Sequence, residues 1–339
     1  MTQFSMTRPR HLAEALRRLF PGVALALIVA MAAQFLSDHY GAPVMLMAIL
    51  LGIAFNFLSE QERTAAGIAF ASRVFLRAGV ALLGLRVSLD MVREIGWGFV
   101  AIIIACVATT ILLSILLAGL VGRDRAFGFL TGGSVAICGA SAAMAIASIL
   151  PQRETSERDL AFTVISVTAF STVAMILYPI LASAMGLDEH LTGLFLGGTI
   201  HDVAQVVGAG YSVSDETGDI ATVVKLIRVT LLAPTVLIGA LAMRRHTSGM
   251  GKRPPLMPLF VTAFLVLAAL NSLHLVPTAL IEPASTLSRS LLVTAVAAVG
   301  MKTSLGRLVD VGGAAFAMLT VQTVGLACLV LIPLMLGIV

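Results

Sequence analysis

His201, Asp202 and Gln205 stand together in Gly197-Gly198-Thr199-Ile200-His201-Asp202-Val203-Ala204-Gln205-Val206-Val207-Gly208-Ala209-Gly210, a stretch that is otherwise apolar or small. His201 and Gln205 are four apart and Asp202 and Gln205 three apart, so one helix side carries an imidazole, a carboxylate and an amide. Inside a membrane such groups mark an ion path, a proton relay or a substrate contact. A free imidazole titrates near pH ~6.5, which suits a proton-linked step. Five bases lie within or at the edges of apolar segments: Arg73, Arg77, Lys225, Arg228 and Lys302. Asp202 is the one acid counted beside them. A charge at the bilayer centre costs about 2.5–3.5 kcal/mol, so these bases either snorkel to the interface or line a cavity whose occupant is negative. Arg73 and Arg77, one turn apart toward a span end, read as snorkelling anchors. Lys225 and Arg228, three apart on one face, and Lys302, followed by Thr303, read as the positive field for a small anion. Asp202 would pair with one of these bases when the anion is absent, making His201, Asp202 and Gln205 the coupling element. The plainer alternative is a fixed Asp202–base pair that holds helices together.

A second segment reads Gly132-Gly133-Ser134-Val135-Ala136-Ile137-Cys138-Gly139-Ala140-Ser141-Ala142-Ala143. Each helical glycine costs about 1 kcal/mol relative to alanine, so a break near mid-membrane is expected, at which half-helix N-termini meet an anion. Ser134, Cys138, Gly139 and Ser141 would then face the substrate cavity. Close helix packing through small residues is the alternative. A Cys138–His201 nucleophile pair fits by residue type, but no oxyanion site accompanies it, and no enzyme is expected.

These residues need elements to hold them, and the composition says which. The chain has 339 residues, 58% hydrophobic and 12% charged, against about 25% charged in soluble domains. Apolar runs fall near 20–37, 42–58, 66–86, 97–121, 127–150, 159–185, 191–211, 219–243, 257–274, 287–308 and 313–337. They predict an all-α polytopic membrane protein with about 11 transmembrane helices, because unsatisfied backbone in hydrocarbon permits only helices or closed barrels. The loops are too short for a nucleotide-binding domain, and no phosphate-binding loop, cofactor or metal motif is present. The net charge of +4 sits largely beside the spans and carries no sign of nucleic-acid binding. Arg8, Arg10, Arg17 and Arg18 before the first run raise a cleaved signal peptide, but an uncleaved anchor suits its length better. Cys106, Cys138 and Cys328 lie within spans, not in loops where structural disulfides form. Counting Lys and Arg in alternate loops gives 12 on the N-terminal side and 5 on the other, namely Arg86, Arg93, Arg153, Arg158 and Arg289. The positive side faces the cytoplasm, so the N-terminus is expected inside and Val339 outside.

Pairing Asn56 with Asp202 and Arg77 with Arg228 aligns span two with seven and three with eight, which implies inverted five-helix repeats. The expected layout is a cytoplasmic segment 1–19, an extra span 20–37, and repeats 42–185 and 191–337, with spans five and ten the equivalent interrupted helices. A rival match of Gly84-Leu85-Arg86-Val87-Ser88-Leu89 with Gly300-Met301-Lys302-Thr303-Ser304-Leu305 would need a twelfth span.

Ile137-Cys138-Gly139-Ala140-Ser141-Ala142, the His201–Gly210 segment and Val224-Lys225-Leu226-Ile227-Arg228-Val229 resemble the YeiH family of bacterial inner-membrane proteins, named for sulfate export. The resemblance covers nearly the whole chain. It implies the cation/proton antiporter and bile-acid symporter superfamily, with two crossed, broken helices and with Gly139 and Gly300 near the crossing. The paired aspartates of the antiporters are missing here, which sets proton antiport of that kind in doubt. The implied function is secondary transport of a small anion, sulfate or a sulfonate, in the direction of export. A cation- or proton-coupled carrier of another solute, or a channel or sensor, is the alternative. Expected partners are the anionic solute, H+ or Na+ as coupling ion and the lipid bilayer, with a homo-oligomer left open.

Overall fold

The computed structural model describes residues 8–40, 44–85, 95–151, 154–243, 259–273, 275–303 and 313–338, and among these no strand occurs. In chain order the helices are α1 (Arg8–Tyr40), α2 (Val44–Ala54), α3 (Glu62–Phe70) running through a π turn at Ala71–Phe75 into α4 (Leu76–Leu83), α5 (Trp97–Leu120), α6 (Arg125–Ala136), α7 (Ala140–Ala147), α8 (Ser156–Ala184), α9 (Glu189–Thr199), α10 (Val203–Tyr211), α11 (Asp215–Thr230), α12 (Leu232–Met243), α13 (Leu259–Ser272), α14 (Thr278–Lys302) and α15 (Ala314–Met335). Seven described helical stretches are long and apolar enough to cross a bilayer, so the chain is a polytopic helical membrane protein.

The chain forms two compact units, 1–83 with 282–304 and 84–281 with 305–339, a division that cuts across the expected repeats. In the first unit α1 packs on α3 through Gly22 and Gly67. α2 packs on α14 through Gly52 and Gly300, where a Cβ on Gly300 would lie 2.6 Å from the Ile49 carbonyl. Small residues bring these backbones into contact, as membrane helices require. Arg73 and Arg77 are exposed, as anchors would be.

The second unit departs from the expected order of crossings. Span five is interrupted, but it turns back. α6 has 12 residues and α7 has 8, about 18 and 12 Å, so neither crosses a core of about 30 Å. Between them Gly139 adopts φ 62° and ψ −126°, a conformation that only glycine takes without strain. The two ends of the segment lie together. Arg123 pairs with Asp159 at 3.2 Å, the Phe127 ring stands 6.0 Å from that of Phe162, and one cavity is lined by Asp124, Phe127 and Leu130 together with Ala147, Leu150 and Pro151.

Span seven repeats the pattern. α9 ends at Thr199, Ile200 to Asp202 form the turn, and α10 returns. Ser214 Oγ donates to Glu189 Oε2 at 2.7 Å and Thr217 Oγ1 to the Glu189 carbonyl at 2.9 Å, so the chain comes back to its starting level. Gly193, Gly197 and Gly210 set both halves against α11, with no room for a Cβ at any of the three.

α8, 29 residues and about 43 Å long, separates the bases of the two hairpins. Asp159 near its start meets the first hairpin, and Asp188 just beyond its end caps α9. The hairpins therefore enter from opposite ends of α8, and their tips meet near its middle. There Ser171 takes the Asp202 N–H, and a Cβ on Gly139 would lie 3.7 Å from His201 Cβ. The expected break in span five is thus a hairpin, and a further break falls in span seven. Span ten runs as α14 to Lys302, and residues 304–308 of that span, where the second crossing helix would be interrupted, lie outside the described residues.

This geometry fixes sidedness. In a variant lacking Cys106, Cys138 and Cys328, cysteines placed at Arg125 and Thr155 are expected to react with an impermeant maleimide from the same membrane face, and one at Glu216 from the opposite face. Labelling of positions 125 and 155 from opposite faces would show that span five crosses.

Candidate substrate and ion site at the hairpin tips

Each break ends a helix whose last carbonyls lose their intrahelical partners. At the tips these are Val135, Ala136 and Ile137 of the first hairpin, and Gly197 and Ile200 of the second. Two helix C-termini, each carrying about half a negative charge, thus converge at one depth. α11 answers them with Lys225 and Arg228, one turn apart and both fully buried. Arg228 Nε donates to the Ala136 carbonyl at 3.0 Å. Its Nη1 donates to Gly197 and Ile200, both at 3.0 Å, and its Nη2 to Val135 at 3.2 Å and Ala136 at 2.7 Å. All five guanidinium hydrogens are spent. Lys225 Nζ donates to the Ile137 carbonyl at 2.6 Å and the Ile200 carbonyl at 2.8 Å, bridging the tips as Arg228 does.

The returning halves present their N-termini. α10 is capped by Asp202, whose Oδ1 accepts the Ala204 N–H at 2.8 Å. α7 follows Gly139 with no side-chain cap. His201 is fully buried. Its Nε2 meets Thr323 Oγ1 of α15 at 3.1 Å, while Nδ1 is buried without a hydrogen-bond partner among the described residues. Gln205 Nε2 donates to Thr172 Oγ1 at 2.8 Å, and on α15 Gln322 Nε2 donates to Thr131 Oγ1 at 3.1 Å.

The structure therefore brings together His201, Asp202, Gln205, Lys225, Arg228, Cys138 and Gly139. Ser134 is buried with its hydroxyl donated to the Leu130 carbonyl of its own helix, whereas Ser141 on the first turn of α7 is exposed. Lys302 and Thr303 belong to the first unit, where Lys302 is exposed and the Thr303 hydroxyl donates to the Val299 carbonyl. Gly300, expected near the helix crossing with Gly139, packs on α2 within that unit. Lys225 and Arg228 hold carbonyls, and among the described residues neither forms an ion pair with Asp202. Ser171, Thr172, Gln322 and Thr323 join the site without having been singled out by sequence. Gln322 was the legible one, as an amide inside an apolar span. Asp219, at the edge of span eight, is a further buried acid and accepts the Tyr211 hydroxyl.

Replacing Arg228 by Lys gives up most of its five bonds and strands buried carbonyls, at about 1–3 kcal/mol for each group. The variant is expected to lose more stability than Lys225→Met, read as the shift in thermal unfolding of detergent-purified protein. Gly139→Ala should cost about 1–3 kcal/mol through its backbone conformation alone.

A family model described as Conserved hypothetical protein 698 matches residues 21–319. The UPF0324 membrane protein TauZ of Paracoccus denitrificans is 58% identical over 97% of this chain and 98% of its own length. A UPF0324 membrane protein of Rhizobium meliloti (strain 1021) is 54% identical over 96% of this chain and 95% of its own, and one of Chlorobaculum tepidum is 53% identical over 93% and 88%. No solved structure matches the chain. With a family model over most of its length and relatives of this closeness, the chain belongs to the YeiH-like UPF0324 family of membrane proteins.

Proposed function

We propose that this chain is a secondary transporter of a small anion, with a sulfonate or sulfate as substrate. The observation that carries the reading is the meeting of two helical hairpins, entering from opposite ends of α8, at a polar centre. Half-helix ends converging near mid-membrane are the arrangement by which carriers hold a solute and open to either side.

The centre suits an anion in a different way from that expected of its bases. Arg228 gives all its hydrogens and Lys225 two of its three to carbonyls, so direct contacts fall to the uncapped start of α7, where among the described residues the Ala140 and Ser141 N–H groups have no backbone acceptor. The name TauZ carried by the Paracoccus relatives hints at a taurine or sulfonate link. A carrier coupled to H+ or Na+ is the second reading, favoured by the carboxylate of Asp202 within the same centre.

Sidedness follows from the hairpins. Pro151, Thr155 and Asp159 line one cavity with Asp124, so Arg158 joins the N-terminal side, while Arg153 lies outside the described residues. With Arg153 left out, the count of 12 against 5 becomes 13 against 3. At the opposite end of the second unit Asp188, Glu189, Asp215 and Glu216 lie with no Lys or Arg between residues 184 and 216. The arginine-rich side is cytoplasmic by this asymmetry. The chain is then a multi-pass inner-membrane protein of a bacterium, with a cytoplasmic N-terminus, an external C-terminus and an odd number of crossings once both hairpins are discounted.

Counterflow in proteoliposomes with sulfate, sulfite, thiosulfate and taurine tests the substrate class, and saturable exchange of at least one of them is expected. If none of the four exchanges, the anion reading fails. Ser141→Asp places a carboxylate at the α7 N-terminus, where it stabilises the helix by about 0.3–1 kcal/mol and competes for the same N–H groups. It should fold normally and weaken exchange at least about tenfold, the rate equivalent of ~1.4 kcal/mol.

A further inference from the structure

The bases at the tips are matched by carbonyls, and Asp202 is not matched by a base. Its Oδ1 serves Ala204, its backbone N–H is held by Ser171 Oγ at 3.0 Å, and its side chain is only partly buried. Lys225 lies within electrostatic reach, but two of its three hydrogens are committed to Ile137 and Ile200.

Gln205 adds the second observation. It is 2% exposed, and its Nε2 donates to Thr172 Oγ1. Thr172 has already given its one hydroxyl hydrogen to the Thr168 carbonyl at 2.9 Å. The atom facing Thr172 must therefore be a donor, which fixes the orientation of the amide. Gln205 Oε1 is left buried without a hydrogen-bond partner. Asp202 and Gln205 lie three apart at the start of α10 and dock on the adjacent residues Ser171 and Thr172 of α8, so the free carbonyl oxygen and the carboxylate share one side of the helix. A buried acceptor of this kind calls for a donor or a cation.

We propose that the Asp202 carboxylate, Gln205 Oε1 and Ser171 Oγ form a binding site for one small monovalent cation. The donors are hard oxygens with a single formal charge, which match one monovalent ion and leave a divalent ion uncompensated. Among the described residues no group of three His, Cys, Asp or Glu side chains could hold a metal ion, so neutral oxygens complete the shell. Bound there, the cation would fix the second hairpin on α8 at the tip contact. This deepens the carrier reading by supplying its coupling ion, and it rests on that reading for the coupling role alone.

The test is thermal unfolding of the full-length chain in detergent, in NaCl against choline chloride at matched ionic strength. A saturable rise in Tm with Na+, absent with choline, is expected. Asp202→Asn keeps the cap, because an asparagine oxygen accepts the Ala204 N–H equally well, and should fold yet lose the Na+-specific rise. Gln205→Met keeps the side-chain bulk and should raise the half-saturating Na+ concentration about tenfold, and it decides the matter should the Asp202 variant not fold. An equal rise in both salts for the wild type, or a Na+-specific rise retained in Asp202→Asn, or Gln205→Met unchanged, overturns the site. Counterflow run in parallel separates the two proposals. Anion exchange without a Na+-specific shift removes the cation site and leaves the carrier, and a Na+-specific shift with no anion exchanged removes the anion carrier and leaves the site.

Discussion

Two helix ends that stop halfway through a membrane need hydrogen-bond donors where there is no water, and Arg228 and Lys225 supply them. Each carbonyl left open in hydrocarbon costs several kcal/mol, so neither hairpin could turn at this depth alone. The bases have the converse difficulty, because an isolated charge in the membrane is costly. Seven N–H to carbonyl contacts, five from Arg228 and two from Lys225, settle both at once. The planar fork of arginine explains why it, and not a second lysine, reaches both tips through separate nitrogens.

With the carbonyl ends fixed, the rest of the centre is free for ligands. The four half-helices offer two C-termini, both taken by bases, and two N-termini, one capped by Asp202 and one open. On the proposed reading, an anion would bind at the open N-terminus and a cation at the capped one. A ligand that binds one arrangement of the tips more tightly than another shifts the balance between them, and this is the energetic requirement for coupled transport.

Much of this was legible in the sequence. The glycines from Gly132 to Gly139 announced a break, and the intramembrane Lys225 and Arg228 announced something negative to meet. What they meet is backbone, and side-chain inventory carries no mark for a carbonyl. The direction of the chain after a break was also hidden: hydropathy records how many apolar residues follow one another, not whether the second half continues or returns. Lengths of 12 and 8 residues on either side of Gly139 hold the clue, but only once the break is located. Gly197-Gly198-Thr199 resembles Gly132-Gly133-Ser134, a likeness between the two hairpins that the longer repeat alignment passed over. Gly300 shows a related ambiguity, since a glycine that breaks a helix and one that packs it against Gly52 look the same in sequence. The hydroxyls of Ser171, Thr172 and Thr323 gave no signal, because such residues commonly bond their own helix backbone.

A single pair of bases holds both tips, and hydrogen exchange on the full-length Arg228→Lys variant tests this most directly. Faster exchange is expected in both tip segments, Val135–Ser141 and Ile200–Gln205, with the hairpin bases near Phe127 and Glu189 little changed. Acceleration confined to one tip, or spread evenly over both hairpins, would contradict it.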